Sequence, residues 1–380
     1  MELLDFFEPL DMERFREETY EEGSWYYALD IHGEERPDLG NKKIAILGIS
    51  GPDGMEDGCY EIRKYLYHLK RAEYADEVVD LGNFRYAEGD RFYQSLGYAL
   101  SELINMELLP VIINGPHDVT YSQYLAFTYL KRYVNLVCFD ARIDFNLREI
   151  TKIDKHNFLQ KVLLEDPSYL FGYTHIGYQS HFADTGNIDF LQNLHFDLFR
   201  LGDARANISD MEPVLRSAHF ASWDVAAIRQ SDAPGAELPS PNGFHGEEAC
   251  LLCRYAGLGS SLKSMGFYNY DIAADRGGQT AHLVAQMVWY TIDGWLNRQV
   301  EHPLENHHDF TKFITNLHNN GYQIVFYKSN RTNRWWMEVP IDEKEYKNSH
   351  HIMPCSYNDY LSATREEIPE RWWHAMRKLN

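Results

Sequence analysis

Basic residues are scarce in this sequence relative to acidic ones. Its 380 residues include 36 Lys and Arg against 57 Asp and Glu, which gives a formal net charge of −21 at pH 7. Nucleic-acid phosphates and anionic lipid surfaces repel such a chain. We therefore expect neither nucleic acid nor a membrane among its partners.

Cysteines and long apolar runs are also scarce. The five cysteines are an odd number and few for this length, so a disulfide framework is not expected. Cys250 and Cys253 form a CxxC pair, but they lie in a helical pattern without a second such pair, which indicates two apolar side chains on one helix face. No run approaches the ~20 apolar residues of a membrane span, and the acidic N-terminus lacks the features of a secretory signal. The sequence thus predicts a cytoplasmic protein.

Apolar and aromatic residues are abundant, at 44% and 14% of the chain, so a large buried core can form. Short apolar runs that are typical of buried strands alternate with segments of helical periodicity. The predicted strands are residues 43–48, 108–113, 135–139, 175–178, 220–225 and 264–268, and the predicted helices are 60–71, 91–107, 247–255 and 281–295. This alternation predicts a three-layer α/β/α fold around a mainly parallel sheet.

The chain after residue 300 has a different pattern. Segments 321–329 and 334–340 are aromatic and β-prone, and the NRTN between them favours a turn, which predicts a β-hairpin. The final PERWWHAMRKL predicts a short amphipathic helix. We expect residues 1–40 to be an N-terminal segment packed on the core, 41–300 to form the α/β domain, and 301–380 to pack on that domain as an extension.

Ionisable side chains cluster where several predicted strands end. They are His117, Asp140, Arg142, Asp144 and Asp224. Alternate residues of an extended chain share a face, so Asp140, Arg142 and Asp144 should converge, and Asp224 should share a face with Ala226. Parallel sheets bind ligands beyond the carboxyl ends of their strands. Three carboxylates gathered there would need a cation to offset their repulsion.

The order of these motifs over roughly residues 40–300 resembles the ureohydrolase superfamily of arginase, agmatinase and formimidoylglutamase, and most of all formimidoylglutamase-like proteins. Residues 114–117 (NGPH) are similar to the family's Gly-Gly-Asp-His loop, residues 140–144 (DARID) to its Asp-Ala-His-x-Asp strand end, and residues 222–226 (SWDVA) to its Ser-x-Asp-x-Asp segment. The resemblance implies an arginase-like fold, a manganese site and hydrolysis of a guanidino or formimino C–N bond.

The resemblance also implies which metal ligands are kept. Family members hold two manganese ions, and the ligands of the deeper ion correspond to His117, Asp140, Asp144 and Asp224. Two ligand positions of the second ion hold Arg142 and Ala226, which cannot ligate a metal. A binuclear site is therefore not expected, and either one manganese ion or none fits the sequence. We expect Arg142 to replace the missing metal through bidentate hydrogen bonds to the three aspartates, which favours no metal over one.

Other positions have two interpretations each. His156 matches a family histidine that handles protons, and a loop or helix-cap histidine is an equally good reading. Asn269 stands where the family has a glutamate that grips the substrate, so that charge is lost. Adjacent tryptophans in the extension indicate either a surface for a protein partner, formed by the outward members of each pair, or packing onto the core. They are Trp335, Trp336, Trp372 and Trp373.

Two functions are compatible with these residues. The first, which the lost ligands favour, is a non-hydrolytic relative (a pseudoenzyme) that binds a small guanidino or formimino ligand at the strand ends and a protein through its tail. The second is a hydrolase of formimidoylglutamate or a related substrate that uses one manganese ion and His156 as proton carrier. The sequence is compatible with a homo-oligomer but does not determine the oligomeric state.

Overall fold

The computed structural model describes residues 2–71, 75–146, 152–305, 307–317, 322–341 and 350–379. Within these ranges the strands of the main sheet are β1 Asp30–Ile31, β2 Ile44–Ser50, β3 Val78–Arg85, β4 Leu109–Ile113, β5 Val134–Phe139, β6 Leu170–Tyr178, β7 Asp197–Arg200, β8 Phe220–Asp224 and β9 Ser264–Tyr268. The helices of this part are α1 Met55–His68, α2 Asp90–Asn105, α3 Val119–Leu130, α4 Phe158–Leu164, α5 Thr185–Asn193, α6 Leu201–Ala206, α7 Met211–Arg216, α8 Gly246–Gly257 and α9 Gln279–Leu296.

The described residues of the main sheet form nine strands in the order β1-β3-β2-β4-β9-β8-β5-β6-β7, and neighbouring strands run parallel. Side chains alternate between two cores: Ile44 and Ile46 of β2 pack with α1, α8 and α9, whereas Ala45 and Leu47 pack with α2, α3 and α4. Because strand side chains alternate in this way, helices cover both faces. The predicted three-layer arrangement and its mainly parallel sheet are confirmed.

The C-terminal part forms a second sheet that is larger than the predicted hairpin. Its described strands are β10 Phe310–Leu317, β11 Tyr322–Ser329, β12 Trp335–Pro340 and β13 His350–Cys355, paired antiparallel in that order and followed by α10 Tyr357–Thr364 and α11 Glu370–Leu379. The hairpin is the β11–β12 pair, although residue 321 of that prediction lies outside the described residues, as do 306, 318–320, 342–349 and 380 of the extension. None of the helices in the described part of the chain has the length and apolar content that a membrane crossing requires.

Three of the four tryptophans in the extension are buried, which fits packing onto the core and leaves Trp373 as the accessible one of the four. Trp335 stacks on Tyr360 with ring centroids 4.9 Å apart, and Trp336 packs on the opposite face of β12 beneath the Arg216 guanidinium, whose carbon is 4.3 Å from the ring centroid. Trp372 is fully buried, and its Nε1 donates a hydrogen bond of 2.8 Å to the Glu338 carbonyl. Trp373 retains partial exposure. Adjacent residues of β12 are both covered because one face meets α10 and the other meets the main domain.

The cysteines should be unreactive in the native protein. All five are buried and unpaired, and burial raises the pKa of Cys59 and of Cys250 to about 12. Since the thiolate is the nucleophile, we expect no reaction with a thiol reagent such as DTNB within minutes at pH 8, and titration of all the thiols after denaturation. Rapid native modification of Cys250 or Cys253 would contradict their assignment to a packed helix face.

Candidate metal centre

Four predicted ligands meet at the carboxyl ends of neighbouring strands. His117 follows β4, Asp140 and Asp144 follow β5, and Asp224 ends β8. In the sheet β8 lies next to β5, and β9 lies between β8 and β4. All four side chains are buried, and one ligand atom from each lies within 4.8 Å of every other. His117 Nδ1 lies 2.9 Å from Asp144 Oδ2, 3.7 Å from Asp140 Oδ2 and 3.6 Å from Asp224 Oδ2.

The other ring nitrogen of His117 contacts a buried hydroxyl. Nε2 lies 2.9 Å from Ser222 Oγ, which in turn lies 2.6 Å from Thr120 Oγ1. A hydroxyl that accepts the Nε2 proton leaves Nδ1 with a lone pair directed at the carboxylates. Burial lowers the pKa of His117, so the ring is neutral, as a metal ligand must be.

Two short turns place the aspartates, and they explain why the side chains do not follow an extended pattern. Asp140 Oδ1 accepts a hydrogen bond of 3.0 Å from the backbone N–H of Arg142, and Asp224 Oδ1 accepts one of 2.7 Å from the N–H of Ala226. Aspartates that bond to the backbone two residues ahead curl the chain. Asp140 and Asp144 still converge, but the prediction that Arg142 points the same way as they do is wrong.

The Arg142 side chain packs against an aromatic ring instead of the carboxylates. Its guanidinium carbon lies 4.1 Å from the centroid of the Phe182 ring. Among the described residues its Nη1 is buried without a hydrogen-bond partner, and no ion pair joins it to Asp140, Asp144 or Asp224. The expected bidentate pairing that would replace a metal is therefore absent, and the guanidinium contacts the loop that carries Phe182 instead.

The electrostatics of the four-residue group favour a cation. Burial is the main cause that raises the pKa values of Asp140 and Asp144 well above the usual range, and repulsion by the Asp224 carboxylate is the second. Oxygen and imidazole ligands suit manganese, and all four ligand atoms lie within 4.8 Å of one another. The residues present therefore fit one divalent ion. Arg142 and Ala226 offer no donor for a second ion at the positions where the resemblance implies one.

Asn269 links two of the ligands, a role that the sequence did not indicate. Its Oδ1 accepts a hydrogen bond of 3.1 Å from the backbone N–H of His117, and its Nδ2 donates one of 2.6 Å to Asp224 Oδ2. Its φ of 62° is a backbone conformation that asparagine tolerates better than most residues. Both ends of the amide are thus engaged in holding the ligands.

A second supporting chain, also missed, holds the backbone of Asp140. The Tyr173 hydroxyl lies 2.7 Å from His175 Nδ1, and His175 Nε2 lies 3.0 Å from the Asp140 carbonyl oxygen. Burial lowers the pKa of His175 to about 4, so this ring is neutral and donates from Nε2. The sequence signal for this chain was His175 at the start of a predicted buried strand, because a buried imidazole needs hydrogen-bond partners.

His156 lies in the segment that leads into α4. Its backbone N–H donates a hydrogen bond of 2.8 Å to Asp154 Oδ1. His156 is exposed, yet partial burial of the ring, then the charge of Lys155, lowers its pKa. The charges of Arg142 and His117 lower its pKa further, whereas Asp154 raises it. A neutral imidazole there can accept a proton at neutral pH.

Comparisons with known proteins agree with this arrangement. The model of the arginase family matches residues 45–293. A formimidoylglutamase of Streptococcus gordonii is 23% identical over 270 residues, which are 65% of this chain and 78% of that protein. The structure of Bacillus subtilis formimidoylglutamase superposes with a TM-score of 0.65 at 15% identity, over 76% of this chain and 99% of that one. Trypanosoma cruzi formiminoglutamase, solved with manganese, gives a TM-score of 0.63 at 16% identity, over 70% and 97%.

The family model covers most of the main domain and includes all four ligands. The solved structures add the same fold. This chain belongs to the arginase family.

Proposed function

We propose that this protein is a divergent member of the arginase family that binds one divalent ion, such as manganese, and a small ligand, without hydrolysing the usual cationic substrates. The observation that carries the proposal is the compact group of His117, Asp140, Asp144 and Asp224, together with the turn of Arg142 away from it. That turn reverses our preference for a metal-free site, because Arg142 forms no ion pair with the three aspartates.

The charge balance supports one ion rather than none. Buried carboxylates without a counter-charge are costly, and protonation is another way to relieve that cost. A divalent ion offsets the charge and uses the neutral His117 at the same time. When bound, the ion would supply Lewis-acid activation of a ligand or of water.

Two features argue against turnover of guanidino or formimino substrates, whose reacting groups are cationic. The guanidinium of Arg142, held over Phe182 beside the site, repels a second cation. Asn269 carries no charge to attract one, and its amide is already bonded to His117 and Asp224. The site therefore favours a neutral or anionic ligand over an arginine-like one.

Hydrolysis with one metal ion is the second candidate, and His156 is the observation that favours it. Its pKa is lowered, so the imidazole is available to accept a proton, which suits a general base. In this alternative Asp140, Asp144, Asp224 and His117 hold the ion, and His156 accepts the proton that the attacking water loses. Formimidoylglutamate or a related linear amidine would be the substrate.

Metal analysis and assays together separate the two candidates. We expect purified protein dialysed against manganese to retain about one ion per chain, and to show no turnover of formimidoylglutamate, agmatine or arginine. Turnover that disappears in His156→Ala would establish the hydrolase instead. Protein that takes up no manganese would refute both.

Restoring the absent ligands should raise the metal content. In the double variant Arg142→His/Ala226→Asp we expect about two manganese ions per chain, because both substituted side chains can then ligate. Each single variant, and Arg16→His as an exposed control, should stay at about one. A double variant that still binds a single ion would show that the second site has been lost for reasons of backbone geometry.

A further inference from the structure

A cavity of about 310 Å³ lies at the opposite end of the main sheet from the metal centre. It is bounded by the amino-terminal parts of β5 and β6 on one side and by β12, β13 and α11 on the other. Cavities of this size commonly bind small molecules. None of the four metal ligands lies at this end of the sheet.

Cationic side chains concentrate in this cavity although the protein is strongly acidic. Arg216, Arg334, Arg371 and Lys378 line it, against the carboxylates of Asp197 and Glu301. Both carboxylates have partners already. Asp197 Oδ1 lies 2.9 Å from His374 Nδ1, and Glu301 accepts hydrogen bonds from the Ser329 and Thr332 hydroxyls at 2.7 and 2.6 Å.

Arg216 is nine-tenths buried and incompletely bonded. Its Nη2 contacts Glu212 and donates to the Trp335 carbonyl at 3.0 Å, but Nε and Nη1 have no hydrogen-bond partner among the described residues. An unpartnered buried guanidinium donor is costly. Burial lowers the pKa of Arg216 to about 10, as expected for a cation whose charge is only partly offset.

Two further cations face the cavity with few partners. Arg371 donates to the Asp210 carbonyl across 3.5 Å, and Lys378 forms no ion pair within the described part of the chain. Lys378 is partly buried, and burial lowers its pKa. These two side chains and Arg216 provide donors for an anion. Val137, Val214 and Trp336 contribute apolar wall beside them.

We propose that this cavity is a binding site for a small organic anion, whose carboxylate or phosphate meets Arg216, Arg371 and Lys378 and whose apolar body lies against Val137, Val214 and Trp336. The cavity encloses both kinds of surface, and carboxylate and phosphate are the groups that arginine binds best. The site is formed jointly by the main domain and the C-terminal sheet, so it depends on their packing.

Calorimetric titration of the full chain with defined probes tests the proposal. We expect phenyl phosphate, benzoate or both to bind, and inorganic phosphate and benzyl alcohol to bind at least about tenfold more weakly, because each lacks one of the two recognised parts. The tighter of the two organic anions identifies the anionic group. Absence of binding by both, or equal binding of benzyl alcohol, would overturn the assignment.

Variants on α11 offer a matched comparison. Lys378→Gln and Arg371→Gln should each lower the affinity for the probe by about tenfold or more, because a charged donor is lost. Arg377→Gln removes the same charge from the same helix, but the exposed Arg377 side chain does not line the cavity. The affinity of this variant for the probe should therefore stay within about twofold of that of the unmodified protein. Equal weakening in all three variants would mean that only the general field of the surface attracts the anion. Arg216 is left unchanged because its loss threatens folding.

Discussion

Replacement of Arg63 by methionine should destabilise the protein by about 4 kcal/mol. Arg63 of α1 and Asp80 of β3 form an ion pair whose two side chains are fully buried, with Nε–Oδ2 and Nη2–Oδ1 distances of 2.8 and 2.9 Å. Methionine fills a similar volume but leaves the Asp80 carboxylate without its counter-charge. Equilibrium urea unfolding measures the loss in free energy.

Two further variants separate the buried charge from simple packing. Arg16→Met breaks an ion pair with Glu13 whose side chains are 76% and 71% exposed, so no measurable change is expected. The double variant Arg63→Met/Asp80→Leu should be less destabilised than Arg63→Met alone, since it leaves no uncompensated charge. A double variant that is worse than the single one would show that the hydrogen bonds of Asp80 to Tyr67 and Gly82 matter more than its charge.

Asp140→Asn should have opposite effects on metal binding and on the stability of the metal-free protein. We expect manganese affinity to fall roughly 100-fold or more, because a buried anionic ligand becomes neutral. Metal-free stability at pH 7 should rise. The folded-state pKa of Asp140 is raised, so its ionised form opposes folding once the pH exceeds the unfolded pKa, and asparagine removes that cost. Asparagine Oδ1 can still accept the hydrogen bond from Arg142 N–H.

The measurements are calorimetric manganese titration and thermal unfolding after chelation. Asp189→Asn serves as the control, since Asp189 is an exposed residue of α5 and its substitution changes the net charge equally. A merely structural aspartate would lower stability when replaced and leave metal affinity intact. That pattern would contradict the assignment of Asp140 as a ligand.

The sequence predicted the backbone of the site better than the directions of its side chains. The ligands could be predicted to meet because His117, Asp140, Asp144 and Asp224 each follow or end a buried apolar run, and the carboxyl ends of parallel strands share one edge. The position of Arg142 could not. It depends on a turn made by Asp140 and on Phe182, which lies in a loop after another strand.

The elements that were missed share physical causes. In β3 the buried Asp80 interrupts an apolar run, so the segment does not resemble a core strand until its pairing with Arg63 is known. In β10 the exposed Thr311 and Lys312 weaken the alternation, although Phe310 and Phe313 were signals for a strand. Asn269 resembled a lost substrate contact, and only its two hydrogen bonds show that it supports the ligands.

The order of strands in the main sheet has a consequence for how the protein is made. His117 follows β4 and Asp140 follows β5, yet β9 and β8 lie between these two strands. Nascent chains emerge from the amino terminus and fold as their partners become available. When Asp224, the last ligand, has emerged from the ribosome, β9 has not yet emerged. The centre of the sheet therefore cannot close at that stage. We therefore expect metal uptake to follow the emergence of β9, and we expect a chain truncated between residues 224 and 264 to bind no ion although it carries every ligand.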